Sequence, residues 1–129
     1  MIGFFSKIFG GSKSEKDVRT VMPLVSKIND NFKTFPSLSN DELRNKTQEF
    51  RKRINDHVKD IEQKIIDTNN KAEQLDFNDL TGKDAIYQEV DDLKKERDDK
   101  IEEVLKELLP EAFAVVKETA RRFKENTQL

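Results

Sequence analysis

Apolar residues recur along this chain in steps of three and four, the spacing that lines one face of an α-helix. The longest such stripe reads Leu43, Thr47, Phe50, Ile54, Val58, Ile61, Ile65, Thr68, Ala72 and Leu75. A second reads Ile86, Val90, Leu93, Arg97, Ile101, Val104 and Leu108. Each contains an eleven-residue step, Ile54 to Ile65 and Leu93 to Val104. Such a step locally unwinds a left-handed supercoil. Two stripes interrupted alike can stay in contact, and Asn78 to Gly82 offers a turn between them. The pattern predicts an antiparallel, coiled-coil-like helical hairpin with shorter helices packed at its open end. The expected fold class is therefore all-α and elongated.

Outside the hairpin the same reading gives shorter elements. Met1, Ile2, Phe4, Phe5, Ile8 and Phe9 can share one face of an amphipathic segment, with Lys7 opposite. Gly10-Gly11-Ser12 then forms a flexible joint. Ser14 and Asp17 suit a helix start, and Val18, Val21, Val25, Ile28, Phe32 and Phe35 form its stripe. Pro23 lies within that stripe and predicts a kink or break, because proline lacks a backbone donor. Phe35-Pro36-Ser37 ends the helix. Ser39 and Glu42 form a capping box before the first long arm. Thr81 and Asp84 are placed to cap the second. Pro110 reads as the first turn of a further helix, with Phe113, Val116, Ala120 and Phe123 on one face. That helix is expected to stop near Asn126, and with no capping glycine the end reads as cut. The organisation is then 1–12 as terminal segment and joint, 13–53 with 109–127 as helical base, and 54–108 as projecting hairpin.

Composition narrows the function. Charged residues make up 39% of the 129 residues and the net charge is -2, so no basic field points to nucleic acid. With no cysteine, disulfides and thiolate metal sites are excluded. No apolar run approaches a membrane span. Acid-before-base pairs four apart (Glu49–Arg53, Asp60–Lys64, Asp91–Lys95, Glu96–Lys100, Glu102–Lys106) mark a wet helical surface.

Candidate chemistry is sparse. His57 stands alone beside the stripe and reads as a helix-surface or half-buried residue, since a metal site needs companions. Gly82-Lys83 resembles the end of a phosphate loop, but Asp84 occupies the Ser/Thr position. Asp76, Asn78 and Asp79 suggest a calcium loop, yet Leu80 and Thr81 stand where a ligand and the turn glycine belong. Asn45-Lys46-Thr47 is a glycosylation triplet inside a predicted helix. No catalytic, cofactor or metal residue is assigned.

Two blocks carry a resemblance. One is Met1 to Arg53, with MIGFFSKIFG, VMPLVSKIN and LSNDELRNKTQEFRKRI; the other is LLPEAFAVVKETARRF, from Leu108 to Phe123. Together they resemble the amino-terminal region of the SecA family, ATPase motors of bacterial preprotein export. In the commonest family pattern a short stretch joins the blocks, and 54–108 stands here as an insertion of a kind some members carry.

The resemblance implies an amphipathic terminal segment, Phe4, Phe5, Lys7, Ile8 and Phe9, that engages anionic phospholipid and the Sec channel. It places the chain in the cytoplasm, peripheral at the cytoplasmic face of the cell membrane. ATP, Mg and preprotein are implied for the parent motor. The nucleotide pocket begins beyond Leu129, so this piece is expected to be inactive as an ATPase. The alternative from the residues alone is a free-standing helical adaptor or coiled-coil interaction module. Exchange of arms between chains would give a homodimer.

Overall fold

The computed structural model describes residues 13–126. They form three α-helices: α1 (Lys13–Thr34), α2 (Asn40–Gln74) and α3 (Leu80–Glu125). A single 3₁₀ turn, Phe35–Ser37, follows α1, and no strand occurs among the described residues. The all-α reading holds. The helices contribute to two compact units, one of Arg44–Leu109 and one combining residues up to Leu43 with those from Pro110.

In the first unit α2 and α3 form the hairpin. Its interior is drawn from the two stripes: Val58, Ile61, Thr68 and Ala72 are buried on α2, and Val90, Val104 and Leu108 on α3. Phe50, Ile54, Ile65, Leu75, Ile86, Leu93, Arg97 and Ile101 are half-buried. Thr47 alone among the stripe positions is exposed. Across the arms, His57 Nε2 lies 3.5 Å from Glu103 Oε2, with the imidazole about one-third exposed. His57 as a whole is exposed on the helix surface, within the expected range of helix-surface or half-buried.

The connection differs in register from the expected 78–82 turn. Helix α2 ends at Gln74 and α3 already starts at Leu80. Asp79, rather than Thr81, caps α3: its Oδ1 accepts from the Gly82 amide at 2.9 Å. A carboxylate one residue before the helix meets the exposed amides and the positive end of the dipole together. A methyl group on Gly82 would lie 2.8 Å from Asp79 Cγ, so a larger residue there would make the capping carboxylate shift.

In the second unit Phe35, Leu43 and Ala114 form the buried centre, with Ile28, Phe32, Leu38 and Val115 packed around it. The chain turns there as Phe35-Pro36-Ser37 predicts, and the Leu38 amide donates to the Phe35 carbonyl at 3.0 Å. The capping box forms in both directions. The Ser39 amide donates to Glu42 Oε2 at 2.7 Å, and the Glu42 amide to Ser39 Oγ at 3.1 Å. The Ser39 amide, and after it the Ser39 hydroxyl, hold the Glu42 carboxyl below its ordinary range.

Helix α1 runs through Pro23 without a break. The expected helix start at Pro110 is corrected, since α3 runs continuously through it. Proline costs a helix one hydrogen bond and a steric clash one turn back, about 3 kcal/mol. Pro110 is buried, and the covered face of α3 shifts there, from Val104 and Leu108 before it to Ala114 and Glu118 after it. Burial on each side of the proline offsets the local penalty. Pro23 is exposed, so the carbonyl it leaves without a partner faces water.

Of the expected ion pairs, Lys106–Glu102 forms at 2.9 Å. Glu49 pairs with Lys46, and Lys95 with Asp92, each three residues away. Exchange among such wet partners is cheap because each pair is worth only a few tenths of a kcal/mol.

Candidate functional site

The sequence motifs that hinted at chemistry all resolve as architecture. Asp76 Oδ1 accepts from the Asn78 amide at 2.8 Å and Asp79 caps α3, so the residues of the suspected calcium loop shape the hairpin turn. Lys83 lies with its Nζ 5.3 Å from the centre of the Phe77 ring. Among the described residues no group of three His, Cys, Asp or Glu side chains could hold a metal ion, and no helix is long and apolar enough to cross a membrane. The expected membrane- and channel-binding residues Phe4, Phe5, Lys7, Ile8 and Phe9 lie outside the described residues, as does the 1–12 segment to which they belong.

The most developed polar site was not anticipated. The turn that follows α1 presents backbone carbonyls that no helix ladder uses in full. Arg122 on α3 binds them. Its Nη2 donates to the Phe35 carbonyl at 3.1 Å and to the Leu38 carbonyl at 2.6 Å. Its Nη1 donates to Asn40 Oδ1 at 2.7 Å, at the start of α2. The planar guanidinium fork thus ties together the end of α1, the turn and the start of α2, and its charge suits the negative end of the α1 dipole.

Behind it, Glu118 is fully buried, which a carboxylate tolerates only when paired. Its Oε1 accepts from Arg122 Nε at 2.7 Å and Arg121 Nη2 at 2.8 Å, and its Oε2 accepts from Arg121 Nε at 2.8 Å. No buried side-chain nitrogen or oxygen among the described residues lacks a hydrogen bond. Arg121 also pairs with Glu125. The Arg121 bonds hold the Glu118 carboxyl down to about 2, with Arg122 adding to them and burial opposing both. Nearby, Lys117 Nζ donates to Asn29 Oδ1 at 2.7 Å and sits 4.4 Å above the Phe32 ring.

This arrangement positions helices; it activates nothing. A carboxyl whose folded pKa is depressed stabilises the fold fully above its ordinary value of 4.5, and that contribution is lost as pH falls toward about 2. Thermal unfolding followed from neutral pH downward should therefore show Tm falling below 4.5, and Glu118→Gln should flatten that part of the curve. An unchanged acid limb in Glu118→Gln would show that other carboxylates govern it.

The apolar stripe expected on the last helix exists but faces solvent. Phe113 is 51% exposed, Val116 66% and Phe123 70%, while Ala114 and Glu118 on the other side are covered. The first half of the α1 stripe is likewise open at Val18 and Val21, and only from Val25 onward does it turn inward.

Comparison with known proteins explains what kind of chain carries such a base. The family model described as the SecA DEAD-like domain matches residues 5–128. The chain belongs to the SecA family. It is 50% identical over 123 residues to the protein translocase subunit SecA of Christiangramia forsetii, covering 95% of this chain and 11% of that protein. The SecA of Chloroherpeton thalassium is 44% identical over 122 residues, and that of Parabacteroides distasonis 40% over 126 residues. The chain spans about a tenth of the length of these SecA relatives. Their matches cover 95% and more of it, so residues of the 54–108 hairpin align with SecA as well as the flanking blocks. No solved structure matches.

Proposed function

We propose that this chain is the amino-terminal helical part of a SecA-type motor that drives preproteins across the bacterial cytoplasmic membrane. It acts as a scaffold and as the element that engages membrane and channel, while ATP and Mg bind elsewhere in the parent. The observation that carries this reading is the 50% identity to a protein translocase subunit over 95% of the chain.

The open stripe on α3 supports the scaffold role. Phe113, Val116 and Phe123 are large, regularly spaced and more than half exposed, and covering what is open would contribute about 1–2 kcal/mol each. In a chain that spans about a tenth of its relatives, the rest of the DEAD-like domain is the natural cover. Preprotein and the Sec channel are then partners of the assembled motor, working from the cytoplasmic face.

The membrane role rests on Phe4, Phe5, Lys7, Ile8 and Phe9. Aromatic and aliphatic side chains opposite a lysine suit the headgroup boundary, and Lys7, Lys13 and Lys16 would each add about 1 kcal/mol near an anionic surface. The purified chain should bind phosphatidylglycerol-containing vesicles at least about tenfold more tightly than neutral phosphatidylcholine vesicles, and less tightly as salt rises. Phe5→Ser with Phe9→Ser should remove the binding. Equal binding to both vesicle types, or none to either, counts against the role.

A further inference from the structure

We propose that the tip of the hairpin is a docking knob for a basic, apolar segment of a partner protein. The apex is built to hold apolar side chains in water. Phe77 is 85% exposed, Leu80 69% and Tyr87 51%. Leu80 and Tyr87 are seven residues apart on α3, so they share a face. Lys83 lies between them and reaches the Phe77 ring.

The turn beneath them is fully bonded. The Asp79 amide donates to the Asp76 carbonyl at 3.1 Å and the Leu80 amide to the Asn78 carbonyl at 2.9 Å. The side chains of Asp76 and Asp79 complete the turn through the Asn78 and Gly82 amides. Single exposed hydrophobic residues are ordinary on protein surfaces. An aromatic ring held outward at the apex of a fixed turn, with a second apolar residue three positions on, is a preorganised contact that pays little ordering entropy on binding.

Charge selects the occupant. Between positions 67 and 91 the chain has seven carboxylates (Asp67, Glu73, Asp76, Asp79, Asp84, Glu89 and Asp91) and two lysines, Lys71 and Lys83. The whole chain carries a net charge of only -2, so negative charge is concentrated at this end of the hairpin. Such a field repels an anionic bilayer and acidic surfaces, and it attracts a partner whose apolar side chains are flanked by Lys or Arg. The knob is small beside a standard interface, so the association is weak, fast and salt-dependent.

The test is a titration of the isotope-labelled full chain with three synthetic peptides, Lys/Leu, Glu/Leu and Lys/Ser, followed by amide NMR shifts. The Lys/Leu peptide should move signals from Asp76 to Tyr87 and lose affinity as salt rises. Phe77→Ser with Leu80→Ser should weaken it about tenfold with unchanged helical circular dichroism, since both side chains already lie mostly in water. An equal response to Glu/Leu or Lys/Ser overturns the proposal. So does a response that survives the double substitution, the absence of any response, or anionic vesicles shifting the same amides.

Discussion

Arg122→Ala should lower the stability of the unit formed by residues up to Leu43 and from Pro110 by about 1.5–3 kcal/mol, the scale of hydrogen bonds made by a charged group. The substitution withdraws four hydrogen bonds at once. The Leu38 carbonyl loses the Arg122 donor, the Phe35 carbonyl keeps only the Leu38 amide, the Asn40 side chain loses its bond to Arg122, and buried Glu118 keeps Arg121. Arg122→Lys should recover only part of the loss, because an ammonium cannot reproduce the planar fork. Hydrogen exchange resolves the effect by location. Amides of α1 and of the start of α2 should lose protection, while those around Ile61 and Val90 should keep theirs. Uniform loss through the hairpin, or a Tm within a degree or two of the parent, would show that the clamp is ornamental.

Ile61→Ala is the counterpart in the other unit. Ile61 is 2% exposed in the middle of the α2 stripe, so removing three methyl-sized groups should cost about 2–5 kcal/mol. Ile66 is five residues away on the same helix but 52% exposed, and Ile66→Ala should stay within about 0.5 kcal/mol. The pair forms an internal control, with the same residue type, the same substitution and the same helix, differing only in burial. Urea denaturation of both variants gives the comparison directly. Similar midpoints would mean that the two stripes do not meet as described.

The hairpin was the most legible part of the chain. Leu43, Val58, Ile61, Thr68, Ala72, Val90, Val104 and Leu108 belong to the expected stripes, and all are buried. The reason is that a one-sided helix buries its apolar face almost regardless of local detail. The capping box at Ser39 and Glu42 was legible too, because both partners lie within one turn of each other. The SecA family was readable from two ordered blocks, and the comparison extends it over residues 5–128.

Elsewhere local rules met non-local forces. Pro110 signals a helix start, yet the residue is buried and α3 is continuous through it. The stripe of Phe113, Val116 and Phe123 has the periodicity of a core face but stays open, while the side bearing a glutamate is the covered one. No periodicity analysis would bury Glu118, since its burial depends on two arginines and on what α3 lies against.

The sequence by itself determined the helices, the two matched stripes and the family, because each rests on residues within a turn or two or on ordered identity. Tertiary structure alone decided that Arg122 on α3 binds the turn that follows α1, more than eighty residues away in the chain. The turn forms from neighbouring residues, but the donor that ties it to α3 is a matter of how the chain folds back.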